Sequence, residues 1–113
     1  MAISYDSIGQ ECVTVRSSNH IPVGTPCKFT TSNFVSACSD GNAFHGIVMS
    51  QNDDFITLAV HGFVTVPYSG TAPTVGYCPL AAAAAGKVKK LEGAKEHLVV
   101  SVDTTMSTVT FLL

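Results

Sequence analysis

The sequence predicts an all-β protein built as one small barrel, and three observations support this fold. Val, Thr, Ile and Phe dominate the apolar segments, and these residue types favour β-strands. Clusters of turn-forming residues interrupt the segments at short intervals, which is typical of β-sandwiches and β-barrels. The length of 113 residues fits a single domain.

Two segments with alternating apolar residues, 44–50 and 55–66, predict a first β-hairpin. With residues 51–54 as the loop, Ser50 pairs with Phe55. This register gathers apolar residues on one face, and a slip of one residue would break every match. The predicted pairs are Met49 with Ile56, Ile47 with Leu58, and His45 with Val60, their apolar members pointing into the core.

The C-terminal residues predict a second hairpin from segments 97–103 and 108–113, joined by residues 104–107. Pairing of Asp103 with Thr108 again matches apolar residues across one face. The predicted pairs are Val102 with Val109, Val100 with Phe111, and Leu98 with Leu113. The residues expected in the core are Val100, Val102, Val109, Phe111 and Leu113.

The two hairpins align with each other along the chain, which indicates two similar halves, about residues 21–66 and 73–113. Upstream, the sequence VGTP at 23–26 is echoed by VGYCP at 75–79. Two repeats are too few for a solenoid and favour a pseudo-symmetric closed barrel without exposed strand edges. The aligned pairs are Ile47 with Val100, Leu58 with Phe111, and Val60 with Leu113.

Two segments fall outside the strand pattern. Residues 1–10 lack clear periodicity and are expected to form an extended N-terminal arm, which leaves residues 11–113 as the barrel domain. The run Ala81–Ala85 is too short for a stable isolated helix. It fits a tight loop, a short strand whose small side chains allow a close neighbour, or a contact between subunits.

The charge content points to assembly and away from nucleic acid. Six Lys and Arg residues against eight Asp and Glu residues give a net charge of −2, which lacks the positive excess that binds phosphate backbones. Only 12 % of residues are charged, whereas soluble domains average about 25 %. We therefore expect part of the surface to be buried against other chains, in a homotrimer or a larger ring.

Membrane insertion and secretion are not expected from the sequence. No apolar run approaches the length that spans a bilayer, and residues 1–6 resemble no signal peptide. Synthesis in the cytoplasm would keep the cysteines reduced. No C-x-x-C pair occurs, which argues against a zinc site. We therefore expect the cysteines to serve as small buried hydrophobic residues. The four cysteines are Cys12, Cys27, Cys38 and Cys78.

No residue pattern predicts a catalytic, cofactor or metal site, and we expect no enzyme activity. The predicted register places His45 and His61 on opposite faces of the first hairpin, where they cannot share a metal. His45 and His97 align as repeat equivalents at strand starts, which favours solvated positions at the barrel rim. Residues 52–54 fit a polar hairpin loop and lack the spacing of a calcium loop. The four histidines are His20, His45, His61 and His97.

A series of short motifs punctuates the chain between the proposed arm and the last strand. They are IPVG at 21–24, FHGIV at 44–48, VHGFVTV at 60–66, TVGYCPL at 74–80 and GKV at 86–88. Their order resembles that of the small capsid decoration, or head-stabilising, proteins of tailed bacteriophages, over residues 8–113. The chain departs from that pattern in the alanine run and at Cys78-Pro79, where relatives often carry an acidic residue before an apolar one.

The resemblance implies a compact β-barrel or β-tulip-like fold, often trimeric, on the outside of an expanded capsid. The protein would bridge neighbouring subunits of the major capsid protein and stabilise the virion, a role without catalytic residues or cofactors.

Two alternatives to a capsid protein stay open. A module that binds glycans or a host surface would need exposed aromatic residues, and the chain has no Trp and three Tyr, namely Tyr5, Tyr68 and Tyr77. A small thiol-dependent or metal-dependent enzyme would need Cys and His side chains that converge in space.

Overall fold

A computed structural model describes residues 10–17 and 19–113, so the predicted arm lies outside the described residues except for Gln10. The described part contains ten strands and one short 3-10 turn at Ala84–Gly86, which confirms the all-β prediction. The strands are β1 (Glu11–Arg16), β2 (Pro26–Thr31), β3 (Phe34–Ala37), β4 (Gly46–Asn52), β5 (Phe55–His61), β6 (Phe63–Pro67), β7 (Gly76–Ala83), β8 (Lys87–Lys90), β9 (Glu96–Asp103) and β10 (Thr108–Leu112).

Strands β1 to β5 close into a barrel in the order β1-β3-β2-β4-β5. The barrel closes because β1 pairs antiparallel with β5 and parallel with β3, the latter through Arg16 and Phe34. Strands β6 to β10 form a second sheet in the order β6-β10-β9-β7-β8. A parallel bridge between Tyr68 and Val88 brings the two ends of this sheet together. The predicted small β-barrel is therefore present, joined to a second sheet of related form.

The two sheets share one pairing pattern, as expected for two similar halves. β1 pairs with β5 as β6 pairs with β10, and β2 pairs with β3 and β4 as β7 pairs with β8 and β9. The boundaries differ from the predicted halves, 21–66 and 73–113. β1 belongs to the first sheet and β6 to the second, so the division falls at Gly62. The predicted boundaries follow the hairpins alone, and the hairpins do not reveal which sheet takes β1 and β6.

The interior of the barrel is filled by buried apolar side chains from all five strands and from the segment before β2. They are Val15, Ile21, Cys27, Val35, Val48, Ile56 and Leu58. The strand pairing repeats in the second half, where Val66 pairs with Val109 as Val15 pairs with Ile56. Both members of each pair are buried. The same inner positions are therefore apolar in both sheets.

A second cluster of buried apolar side chains packs against the second sheet and includes residues of the first half. Its members from the second half include Val66, Val99 and Phe111. Phe44 and Ala59 of the first half belong to the same cluster, together with Ile47. This shared core holds the two sheets together.

The first hairpin has a different register from the predicted one. Asn52 pairs with Phe55, which leaves a turn of two residues, and Asp53 adopts the left-handed conformation with φ of 54°. Asp tolerates this conformation, so the short turn forms. A β-bulge between Val48 and Ser50 absorbs the extra residue and pairs Val48 with Leu58.

The bulge decides which predicted core residues of this hairpin are correct. Ile47, Ile56 and Leu58 are buried, as predicted, and Val60 is partly buried. Met49 is 38 % exposed, because the bulge turns it outwards, so its placement in the core was wrong. The predicted pairs Met49 with Ile56, Ile47 with Leu58, and His45 with Val60 do not occur.

The second hairpin confirms part of its predicted register. Asp103 pairs with Thr108 and Val102 with Val109, as expected. A β-bulge then shifts the pairing, so that Phe111 lies opposite Val99 instead of Val100. The pair of Leu98 with Leu113 is likewise replaced by Leu98 with Leu112. Val109 and Phe111 are buried, whereas Val100, Val102 and Leu113 are partly buried.

The alanine run lies mainly in a strand, which was one of its predicted alternatives. Ala81, Ala82 and Ala83 are buried at the end of β7. The backbone of Ala82 donates to the Asn42 carbonyl and accepts from the Gly41 amide, both at 2.8 Å. Small side chains allow the loop before β4 to approach this closely.

Replacement of Leu58 by Ala tests its place in the barrel interior. Leu58 is fully buried, so Leu58→Ala should lower the free energy of unfolding by about 2–5 kcal/mol through lost burial and a cavity. Chemical denaturation measures this change. Met49→Ala at the exposed bulge is the matched control and should cost less than about 1 kcal/mol. Equal losses in the two variants would contradict the register described above.

Candidate functional site

The cysteines divide into buried and accessible thiols. Cys27 and Cys78 are completely buried, as expected for small hydrophobic residues, whereas Cys12 is exposed and Cys38 is partly buried. Burial raises the pKa of the Cys27 thiol to about 12, with a smaller contribution from Cys38. Burial also raises the pKa of Cys38, against the opposing effect of Lys28. These two thiols therefore stay protonated at neutral pH and are poor nucleophiles.

His97 is buried at the junction of the two sheets, not at a solvated rim as predicted. Its ring stacks on Phe44 at 5.0 Å between centroids and meets the edge of Phe111 at 5.3 Å. Its Nδ1 lies 3.0 Å from the Leu112 carbonyl oxygen. A neutral imidazole with the proton on Nδ1 fits this contact, because a carbonyl only accepts. Burial lowers the pKa of His97, and the nearby charge of Lys95 lowers it further, whereas the hydrogen bond to the Leu112 carbonyl raises it.

His45 is not the structural equivalent of His97, which corrects the predicted alignment. Cys27 pairs with Gly46, and Cys78 pairs with His97, so Gly46 holds the position of His97 in the first half. His45 is exposed, and its Nδ1 accepts a hydrogen bond from the Phe29 amide at 3.0 Å.

His45 and His97 both line a cavity of about 230 Å³, whose wall also includes Lys95. No group of three or more metal-ligating side chains occurs within residues 10–17 and 19–113. The cavity therefore brings two imidazoles to one place without assembling a ligand set among the described residues.

Comparison with known proteins does not identify the chain. No protein-family model matches the sequence, and a search of curated proteins finds no significant match. Among the described residues, no helix is long and apolar enough to cross a membrane.

Large apolar side chains are exposed on both halves and form the candidate functional surface. Two of them occupy corresponding turns, where Val23 and Val75 are 66 % and 70 % exposed. Each is followed by a glycine with positive φ, Gly24 or Gly76, and that conformation is costly for other residues. The remaining exposed large hydrophobic side chains are Val13, Phe29, Phe34, Met49, Phe55, Tyr77, Leu91 and Met106.

Three of the exposed side chains form a row across adjacent strands of the barrel, which we call the Phe–Arg–Phe row. Arg16 of β1 pairs with Phe34 of β3 on one side and with Phe55 of β5 on the other. The Arg16 guanidinium lies 5.0 Å from the centre of the Phe55 ring, within the range of a cation–π contact. The three residues line one depression together with Ser32 and Asn33 of the neighbouring turn.

Alternation along the strands explains why the row faces outwards. Val15 and Ile56 point into the barrel, so their neighbours Arg16 and Phe55 point away from it. Sequence reasoning missed the row because it considered Trp and Tyr as exposed aromatic residues and left Phe aside. The alternation around Phe55 carried the signal for its exposure, but the other two members of the row, in β1 and β3, come from distant parts of the sequence.

Burial of His97 predicts a specific dependence of stability on pH. Because its pKa is lowered in the folded state, the unfolded chain takes up this proton at a higher pH. The contribution of His97 is therefore complete above the unfolded pKa of about 6.5 and is lost as the pH falls from there towards the folded pKa. Urea unfolding between about pH 7.5 and 5.5 should show this loss.

The matched variants separate His97 from the other histidines. His97→Phe should reduce the fall in unfolding free energy over this pH interval, whereas His61→Gln, at an exposed position, should leave it unchanged. An unaltered pH dependence in His97→Phe would contradict the assignment.

Differences in burial predict which thiols react in the folded protein. Iodoacetamide at neutral pH should label Cys12, while Cys27 and Cys78 should react only after unfolding, because they are completely buried. Peptide mass spectrometry measures the labelling at each position, and a sample in denaturant provides the fully reactive control. Equal labelling of Cys27 and Cys12 in the folded protein would contradict the described core.

Proposed function

We propose that the chain is a structural virion protein that binds the outside of an assembled phage capsid. It bridges neighbouring subunits of the major capsid protein and stabilises the shell, and it associates with itself as a homotrimer. The observation that carries the proposal is the set of large apolar side chains exposed on a chain with only 12 % charged residues. Exposed apolar surface favours contact with other proteins.

The repeated architecture supports a bridging role. Val23 and Val75 protrude from corresponding turns of the two halves, so one chain carries two similar apolar contact points. A protein that joins two neighbouring copies of one subunit needs two such points. The closed barrel and the shared core fix the positions of these contact points, so less conformational entropy is lost on binding.

A second candidate function is a module that binds glycans or a host surface. Four exposed aromatic side chains favour it, because aromatic rings provide flat apolar faces for ligands: Phe29, Phe34, Phe55 and Tyr77. This candidate shares with the first a function based on binding alone.

Thermal disassembly of capsids tests the proposal. Purified protein is added to capsids assembled without it, and the melting of the shell is followed by calorimetry and light scattering. Binding to the intact shell should raise its melting temperature, since a ligand at 100 times its Kd stabilises each site by about 2.7 kcal/mol. An unchanged melting temperature under saturating protein would reject the capsid role, and binding to a glycan array in its place would support the second candidate.

Two variants connect this result to the exposed turns. The double variant Val23→Ser, Val75→Ser should bind capsids at least about tenfold more weakly, because it removes the repeated apolar contact points. The control variant Cys12→Ala changes an exposed thiol outside these turns and should bind like the unmodified protein. Circular dichroism verifies that each variant is folded.

A further inference from the structure

One end of the barrel combines aromatic rings with charges of both signs. The Phe–Arg–Phe row supplies a cation between two rings that are 36 % and 47 % exposed. The turn of Asp53 and Asp54 lies at the same end, because the Asp54 carbonyl accepts a hydrogen bond from the Ser17 amide at 3.0 Å. Both aspartates are exposed. We call the row and these two carboxylates the mixed patch.

The charged groups of the mixed patch are not neutralised within the described part of the chain. Among residues 10–17 and 19–113, the one ion pair is that of Lys89 with Asp40, which involves no residue of the patch. The Arg16 guanidinium lies over the Phe55 ring and pairs with no carboxylate of the described residues. The patch therefore presents a cation and two carboxylates that are available to a partner.

We infer that the mixed patch is the surface through which two copies of this chain associate. Arg16 of one copy faces Asp53 and Asp54 of the other, and the rings of Phe34 and Phe55 pack between them. A patch that faces a second copy of itself joins copies in pairs, so the inference goes beyond the homotrimer of the proposed function and adds a two-fold contact to it.

The distribution of charge favours a second copy over other partners. A uniformly acidic surface would be repelled by Asp53 and Asp54, and a uniformly basic one would be repelled by Arg16. A matching partner presents both signs together with apolar surface, and a second copy of the patch does so by its own composition. Burial of the two phenyl rings adds the apolar contribution that surface charges alone do not provide.

Charge exchange between two variants tests the inference. Arg16→Asp makes the patch uniformly negative, and the double variant Asp53→Lys, Asp54→Lys makes it uniformly positive. Each variant alone should associate at least about tenfold more weakly than the unmodified protein, because like charges then face each other. An equimolar mixture should associate again, since every charge regains an opposite partner. Sedimentation equilibrium over a range of protein concentrations measures all these states.

A control pair changes charge away from the patch, through Lys90→Asp and Glu92→Lys, both at exposed positions of the second half. These variants should associate like the unmodified protein. Unchanged association of the patch variants, or a mixture that stays monomeric, would overturn the inference. A purely monomeric unmodified protein would overturn it as well.

The capsid role is judged separately, by the melting temperature of the shell. Protein that associates through the patch and leaves the shell unprotected would reject the capsid role and keep the inference. If the protein protects the shell and its patch variants associate normally, the capsid role is kept and the inference about the mixed patch is rejected.

Discussion

The closure of a barrel from only five strands is the constraint on which the rest of this structure depends. Few strands enclose a narrow interior, so the strands must twist and coil strongly to close. β-Bulges increase local twist, and one interrupts the long hairpin of each half, next to Val48 and next to Val99. Both valines are buried, so the bulges also decide which residues fill the interior.

Close packing of the hairpin strands makes one glycine essential to the barrel. A Cβ atom on Gly46 would lie 2.6 Å from the Ala59 carbonyl oxygen and 2.7 Å from Leu58 Cγ. In the second half, His97 occupies the corresponding position and packs on the edge of Phe111. The first half thus closes tightly around a leucine, whereas the second accommodates an imidazole among aromatic rings. This difference explains how two sheets of one pattern carry different interiors.

The same closure directs association towards faces and turns of the molecule. In the first sheet, β1 and β3 meet at Arg16 and Phe34 and close the barrel, which limits the strand edge that another chain could extend. In the second sheet, the terminal strand β8 carries Lys87, Lys89 and Lys90, and lysines of this kind discourage edge pairing. Protruding turns and the mixed patch are therefore the surfaces through which the proposed contacts are made.

Local patterns in the sequence determined the strand class and much of the core. Alternation alone placed Ile56, Leu58 and Phe111 inside, because the side chains of a strand alternate between its two faces whatever its partner is. The turn at residues 104–107 was also predicted correctly, together with the pairs that flank it.

Only the tertiary structure decided the bulges, the assignment of β1 and β6 to their sheets, and the surroundings of single side chains. Met49 points outwards because it lies in the β-bulge between Val48 and Ser50, where the register of the hairpin shifts by one residue. The sequence around Met49 does not specify this shift in register. Ala59 is buried because the second cluster packs on it, while Phe55 on the same strand stays exposed. Such outcomes depend on contacts between residues distant in sequence, and a local pattern carries no information about those contacts.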